Sequence, residues 1–339
     1  MTRFRPRLTL GCLALFAAFG AQAQNVTITG LLDMSAGQFQ SPGSAKTWRA
    51  DSGNMSTSFI GFRGTEDLGG GLKAKFALDH FLRLDSGSPG RFNGDAFWAR
   101  DAYVGLSGAF GTTVLGRNTT PLFVSTLLFN AFGDSFGFSP SIRQLFTPGP
   151  TMPAFLGDTG WNNSLAYAST DYDGLSWNLI GNLGEGAAGA QGKNLGANAL
   201  YFNGPFAATA AWQKVRNGAF GAPAGFASQT AWQLGTSYQL PVAKLYAQYS
   251  EVSTAAAVND KTRIWNFGGA VPLGPGRVLA QYGTARAKLA GVETTNKTLT
   301  LGYDYTMSKL TDLYGVYMND KVSGLANANT LAAGVRVRF

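Results

Sequence analysis

The chain offers few of the residues from which bond-making chemistry is built. It holds one histidine, His80, and one cysteine, Cys12. A hydrolytic triad needs a histidine within hydrogen-bond reach of a nucleophile and of an acidic or amide partner, and no nucleophile stands in register with His80. One histidine without a mature cysteine also makes a poor metal site. No catalytic residue, no metal and no cofactor is expected, and the chain is not read as an enzyme. What it does carry is fixed charge. Arg63, Arg117 and Arg143 among the bases, with Asp134 and Asp158 among the acids, would select ions by sign around a narrow aqueous passage without breaking a bond.

Such charges act together only if the backbone brings them to one surface, and the sequence alternates in a way that does so. In Leu331-Ala-Ala-Gly-Val-Arg-Val-Arg-Phe339, the residues Leu331, Ala333, Val335, Val337 and Phe339 fall on one face of a strand, Arg336 and Arg338 on the other. Val26, Ile28 and Leu32 likewise oppose Thr27, Thr29 and Asp33, and Leu72, Ala74, Phe76 and Leu78 oppose Lys73, Lys75 and Asp79. Lys or Arg on a lipid-facing position costs about 2–4 kcal/mol near the bilayer midplane, so the charged faces must look inward onto water. Strands can cross a membrane only as a closed barrel, because hydrocarbon offers no partner to an open edge.

Short turns are expected at Glu66–Gly71, Ser107–Gly111, Asp171–Gly174, Asn203–Pro205, Leu240-Pro241, Pro272–Gly276 and Ser308–Leu310. Longer polar stretches separate them, which gives sixteen antiparallel strands with short turns on one rim and long loops on the other. The fold class is therefore all-β, a transmembrane barrel. The 118–160 connection is too long to be a plain link. It is also rich in Leu and Phe that need a wall to pack on, so it is expected to fold inward, with a short helix near Thr120–Asn130. Within this frame Arg63 opposes Ile60 and Phe62 and faces the lumen. Arg117 falls on the lumen phase relative to Val114, and Arg143 lies on the long loop. Asp134 and Asp158 on the loop would set a transverse field against the basic wall.

Residues 1–23 have a basic start, an apolar run from Leu8 to Phe19 and Ala21-Gln22-Ala23, the pattern of a cleaved signal peptide with the barrel domain at 24–339. Cys12 sits at the start of the apolar run, where a lipoprotein signal cannot lie. The whole chain has a formal charge of +8, and loss of Arg3, Arg5 and Arg7 leaves 24 bases against 19 acids. These charges are scattered, fitting either solvated charge or a cationic lining, and an exported chain is not expected to meet nucleic acid. Apart from the leader, no stretch approaches the roughly 20 apolar residues of a spanning helix.

Phe62-Arg-Gly-Thr-Glu-Asp-Leu-Gly-Gly-Gly-Leu-Lys-Ala74 resembles the signature after the second strand of Gram-negative general porins of the β-proteobacterial type. Asp101-Ala-Tyr-Val-Gly-Leu106, Leu115-Gly-Arg117, and Asn163-Ser164 with Tyr167 agree with it, as does the terminal Phe339. The resemblance implies a sixteen-stranded barrel in the outer membrane, a homotrimer, and a third extracellular loop that narrows the pore. It also suggests Arg100 as a constriction residue, whereas strict alternation places Asp101 inward; a bulge would bring Arg100 in. At Phe59 anion-selective relatives carry an arginine, so the constriction here should be more apolar. The expected function is passive diffusion of small hydrophilic solutes and ions with an anion preference, the partners being outer-membrane lipid, lipopolysaccharide and the solutes in transit. A substrate-specific channel for small organic anions and a closed adhesive or structural barrel are the alternatives.

Overall fold

The computed structural model describes residues 26–147, 155–183, 193–216 and 222–339. The leader expected at 1–23, and the mature start at Gln24, lie outside the described residues. Among those residues eighteen strands and two helices follow one another. They are β1 (Thr27–Phe39), β2 (Thr47–Ser52), β3 (Phe59–Gly69), β4 (Leu72–Arg83), β5 (Ser88–Pro89), β6 (Ala102–Gly108), β7 (Gly111–Thr119), α1 (Pro121–Leu128), α2 (Pro140–Phe146), β8 (Gly160–Ala168) and β9 (Leu175–Asn182). The second half is all strand: β10 (Leu195–Asn203), β11 (Phe206–Val215), β12 (Ser228–Gln239), β13 (Lys244–Ala255), β14 (Asp260–Leu273), β15 (Gly276–Leu289), β16 (Val292–Thr306), β17 (Thr311–Val322) and β18 (Ala328–Arg338).

Wall strands pair antiparallel with their chain neighbours, and β18 returns to β1 in a register running from Leu31↔Arg338 to Gln38↔Leu331. The sheet therefore closes into a sixteen-stranded barrel, with β2 and β3 as two halves of one wall strand and β5 as a supernumerary piece. Closure leaves no edge unpaired, and its last bonds are the reciprocal pair between Gly30 and Phe339, at 2.9 and 3.1 Å. The short turns fall where the alternation breaks. In the first of them Gly69, Gly70 and Gly71 have φ of 86°, 61° and 81°, a left-handed run that only glycine enters without strain.

The second wall strand is split, which the sequence did not announce. β2 runs beside the long-loop half of β1 and β3 beside its short-turn half. Between them residues 53–58 leave the wall. This excursion is held by Asp33, whose carboxylate accepts from the backbone N–H of Met55 (2.7 Å) and Ser56 (3.1 Å) and from the Tyr314 hydroxyl (2.7 Å). Asp33 is fully buried, so each of these donors replaces lost water. Tyr314→Phe is expected to lower barrel stability by about 1–3 kcal/mol, the cost of leaving a buried acceptor short of a partner. Denaturant unfolding against wild type measures it.

The packed core lies inside the barrel, between its wall and the long connection. Leu122, Leu145 and Phe155 of that connection cluster with Ile180, Val215, Val252 and Ile264 of the wall. Phe132 and Phe138 pack with Leu279, Tyr314 and Val316. A row of polar wall side chains then ties the loop backbone down. Asn198 donates to the Pro121 carbonyl (2.9 Å), Gln248 to that of Thr126 (2.9 Å) and Thr300 to that of Phe138 (2.8 Å). Gln281 donates to the Ser141 hydroxyl at 2.7 Å. α1 starts at Pro121 as its first residue, and α2 starts behind Ser139, whose hydroxyl accepts from Ile142 N–H. α1 falls within the stretch where a short helix was expected, Thr120–Asn130, and α2 is an addition.

Candidate functional site

The free side of the loop faces the wall made by β3, β4 and β6. In these strands directly paired residues share a face, and the pairs Gly61↔Asp79, Arg63↔Ala77 and Ala77↔Tyr103 set the inward phase. Arg63 stands on it as expected. It forms ion pairs with Asp79 and, at 3.6 Å, with Asp101. Arg100 also reaches the lumen, through an irregularity at the start of β6. Asp79 N–H donates to the Asp101 carbonyl while the Asp79 carbonyl accepts from Arg100 N–H. Two residues thus oppose one, as in a bulge, and Arg100 and Asp101 are both delivered inward.

Phe59 is the platform for this group. The Arg100 guanidinium lies 3.7 Å from the centroid of the Phe59 ring, a cation–π contact, and 3.9 Å from Asp79. The position is not simply apolar, because the ring carries a guanidinium on its face. The layering is what matters electrically. Arg63 and Arg100 have side chains 43% and 33% exposed, whereas Asp79 and Asp101 beneath them are 0% and 14% exposed. Water and ions meet the cations first. On the same inward phase toward the short-turn end come Lys73 and Lys75, facing Asp67 and Thr65. Arg277, Arg336 and Arg338 stand over Asp304 and Asp312 across the lumen.

The loop side differs from its expected form. Asp134 accepts a hydrogen bond from Ser56 of the excursion at 2.9 Å. Arg143 donates to Asp320 of β17 at 2.7 Å, on the wall the loop leans against. Asp158 is enclosed by Arg91 and Arg117, each at 2.6 Å. Each of the three loop charges thus has a partner that ties the loop to the excursion, the wall or the rim. What the loop presents instead is aromatic: Phe123 stacks on Phe136 (5.9 Å between centroids) and meets Phe146 edge-on (5.3 Å), which in turn meets Phe155 (5.9 Å).

Arg117 is a correction. Val114 is buried opposite Gly105, while its neighbour Leu115 is exposed opposite Val104. Val114 therefore faces inward, and alternation from it sends Arg117 outward. A β-bulge between Gly116 and Asn118 shifts the register there. The guanidinium donates to the Ala99 carbonyl (2.6 Å), to Asn162 (2.7 Å) and to Asp158, joining three segments at the rim. Arg91, whose part the sequence reading missed, completes the clamp: it binds Asp95 at 2.9 Å as well as Asp158. Its only local signal is the Arg91/Asp95 spacing. His80 sits beside this region with its ring stacked on Phe97 at 4.0 Å, bonded through Nδ1 to the Phe97 carbonyl, in a packing role.

Burial works against the Asp158 carboxylate, but hydrogen bonds and charge from Arg91, joined by Arg117, outweigh it and hold the carboxyl below its ordinary range. Asp95 is depressed in the same way, burial being overcome by its bonds to Arg91, and Arg91 itself is pushed up despite its burial. A depressed acid adds stability that is complete above its unfolded pKa, about 3.9, and is lost as pH falls through the folded value. The clamp should hold at pH 5–8 and open only below about pH 4. Single-channel noise recorded from pH 7 down to pH 3 checks this, with quiet steps expected until the acid end.

A cavity of about 820 Å³ opens on the long-loop side of the constriction, lined by Phe92, Phe136, Phe146 and Phe155 with Arg83, Arg91 and Arg143. A smaller one, about 210 Å³, lies on the short-turn side against Asp134, Tyr246, Arg277 and Arg336.

The family model described as Gram-negative porin matches residues 9–325. Outer membrane porin protein 32 of Delftia acidovorans is 31% identical over 97% of this chain and 95% of its own length. A solved structure, the anion-selective porin from Comamonas acidovorans, superposes with a TM-score of 0.77 at 26% identity, covering 93% of this chain and all of that one (100%). An outer membrane protein of Vibrio cholerae solved in a trimer form gives a TM-score of 0.70 at 15% identity, over 94% of this chain and 100% of that one.

Proposed function

The chain belongs to the Gram-negative porin family and is an outer-membrane channel, not an enzyme; from that premise we propose that it passes small hydrophilic solutes and ions by passive diffusion, with a preference for anions set by Arg63 and Arg100. The observation that carries the preference is the layering of exposed guanidiniums over buried carboxylates. Preorganised cations at a constriction lower the barrier for the opposite sign. The name of the Comamonas structure is in keeping with this reading. The 118–160 loop is the constricting element, with its aromatic ladder opposite the arginines and its own charges serving as anchors. Swelling of proteoliposomes tests the proposal. Entry of small organic anions should outpace that of neutral sugars of equal size, and cations should lag; equal rates for all three would reject the preference.

A substrate-specific channel for small organic anions is the second reading. It is favoured by the four phenylalanines beside three arginines in the cavity on the long-loop side, and it requires saturable uptake where free diffusion gives none. The homotrimer is also part of the proposal. Val26, Ile28 and Phe339 are exposed at the β1–β18 seam, where an apolar surface serves subunit packing, and the Vibrio cholerae neighbour was solved as a trimer.

A further inference from the structure

The cavity on the long-loop side of the constriction holds one cation that no acid compensates among the described residues. Of the arginines in its lining, Arg91 is bound to Asp95 and Asp158, and Arg143 to Asp320 and to the Gly137 carbonyl (3.2 Å). Arg83 has no such acid. It follows Asp79 and Phe81 on the inward phase of β4, and its guanidinium donates through Nη2 to Asn93 Oδ1 (2.8 Å) and to the Pro89 carbonyl (3.4 Å). Both acceptors are neutral, so the charge of Arg83 stands at the cavity wall unanswered.

The apolar part of the lining is largely aromatic. Phe92 already carries the Arg91 guanidinium, 5.3 Å from its centroid, and Phe155 is buried against Phe146. Phe136 and Phe146 are half-buried and both touch Phe123, one stacked and one edge-on; they are the ring surface the cavity has to offer. At about 820 Å³ the space falls among the ~300–1,000 Å³ of small-molecule sites. An aromatic ring gains there by burial and by edge-to-face or offset contact with these phenylalanines. A carboxylate gains a charge-assisted hydrogen bond from Arg83, strengthened by the low permittivity of the ring-lined wall. We infer that this cavity is a binding site for arene monocarboxylates, with the carboxylate on Arg83 and the ring against Phe136 and Phe146. A second carboxylate is disfavoured by Asp260, which lines the same cavity and has no ion pair among the described residues. The inference rests on the second reading of the pore, a channel for small organic anions, and names the class it takes.

The test is calorimetric titration of the full barrel in phosphatidylcholine nanodiscs with benzoate, benzamide, acetate, cyclohexanecarboxylate and terephthalate. Benzoate should bind saturably at millimolar concentration. Benzamide keeps the ring without the charge and acetate the charge without the ring, and each should bind about tenfold more weakly, the scale of one charge-assisted hydrogen bond or of one buried ring. Cyclohexanecarboxylate should lag severalfold for want of an aromatic face. Arg83→Gln should lower benzoate affinity about tenfold, and Arg83→Lys, which keeps the charge, should lose only part of that. If neither variant folds, the comparison of the five ligands on the wild type decides alone. Absence of saturable benzoate binding, equal binding of benzamide, acetate or cyclohexanecarboxylate, tighter binding of terephthalate, or undiminished binding by folded Arg83→Gln would overturn the inference. Uptake into proteoliposomes tests the underlying reading separately. Saturable uptake that ignores the ring keeps the organic-anion channel and overturns the inference, whereas saturable benzoate binding with unsaturated uptake upholds the site and overturns the channel reading.

Discussion

Arg63→Gln/Arg100→Gln is expected to cut the anion-to-cation permeability ratio about tenfold while leaving a conducting channel. Two unit charges about 10 Å from a passing ion contribute ~1–2 kcal/mol at a permittivity between those of protein and water, and 1.4 kcal/mol is a factor of about ten. The change is amplified by what remains. Asp79 and Asp101 lie directly beneath the two guanidiniums and would then face the lumen with nothing over them. Arg63→Lys/Arg100→Lys keeps the charge but loses the planar stack on Phe59. It should keep the sign of selectivity with a broader spread of conductance levels. Reversal potentials of the two variants under one salt gradient separate charge from geometry, and a Gln variant with wild-type selectivity would remove these arginines from the constriction.

Asp158→Ala is expected to have the largest effect on the loop itself. The carboxylate is shared by Arg91 and Arg117, and all three side chains are nearly buried. Removing one partner of a buried pair costs about 3–5 kcal/mol, chiefly because the surviving charges are left without compensation. The cost falls where the end of the 118–160 loop meets the 82–100 segment. Noisy, fluctuating conductance should follow, together with a lower melting temperature. Adding Arg117→Ala should recover part of the loss, since it removes the cation whose acid partner is Asp158, whereas Arg91 keeps Asp95. The double-mutant cycle in melting free energy measures that coupling, and strict additivity would show that the clamp does not act as a unit.

Most of the wall was legible because a barrel wall obeys one rule, period-2 alternation, and breaks it only at turns. The seven turns, the terminal strand and the inward position of Arg63 all follow from it. The failures lie where a second rule intervenes. Val114 is apolar yet faces inward, buried against Gly105 of the paired strand; read as lipid-facing, it reverses the phase of Arg117. Arg100 turns inward only through a backbone irregularity that no side-chain pattern encodes. The 53–58 excursion depends on Asp33 and Tyr314, residues 281 positions apart. Likewise the partners that silence Asp158 and Arg143 lie 67 and 177 positions away. Local spacing carries no sign of such pairings, so the loop charges were legible as charges but not as anchors.

The pore reading as a whole meets its most direct test in single-channel current from purified protein in a planar bilayer under a salt gradient. Stepwise openings with a reversal potential of anion sign are the expected result. Openings with a reversal potential at zero or of cation sign would contradict the role given to Arg63 and Arg100, and the absence of any steps would contradict an open lumen altogether.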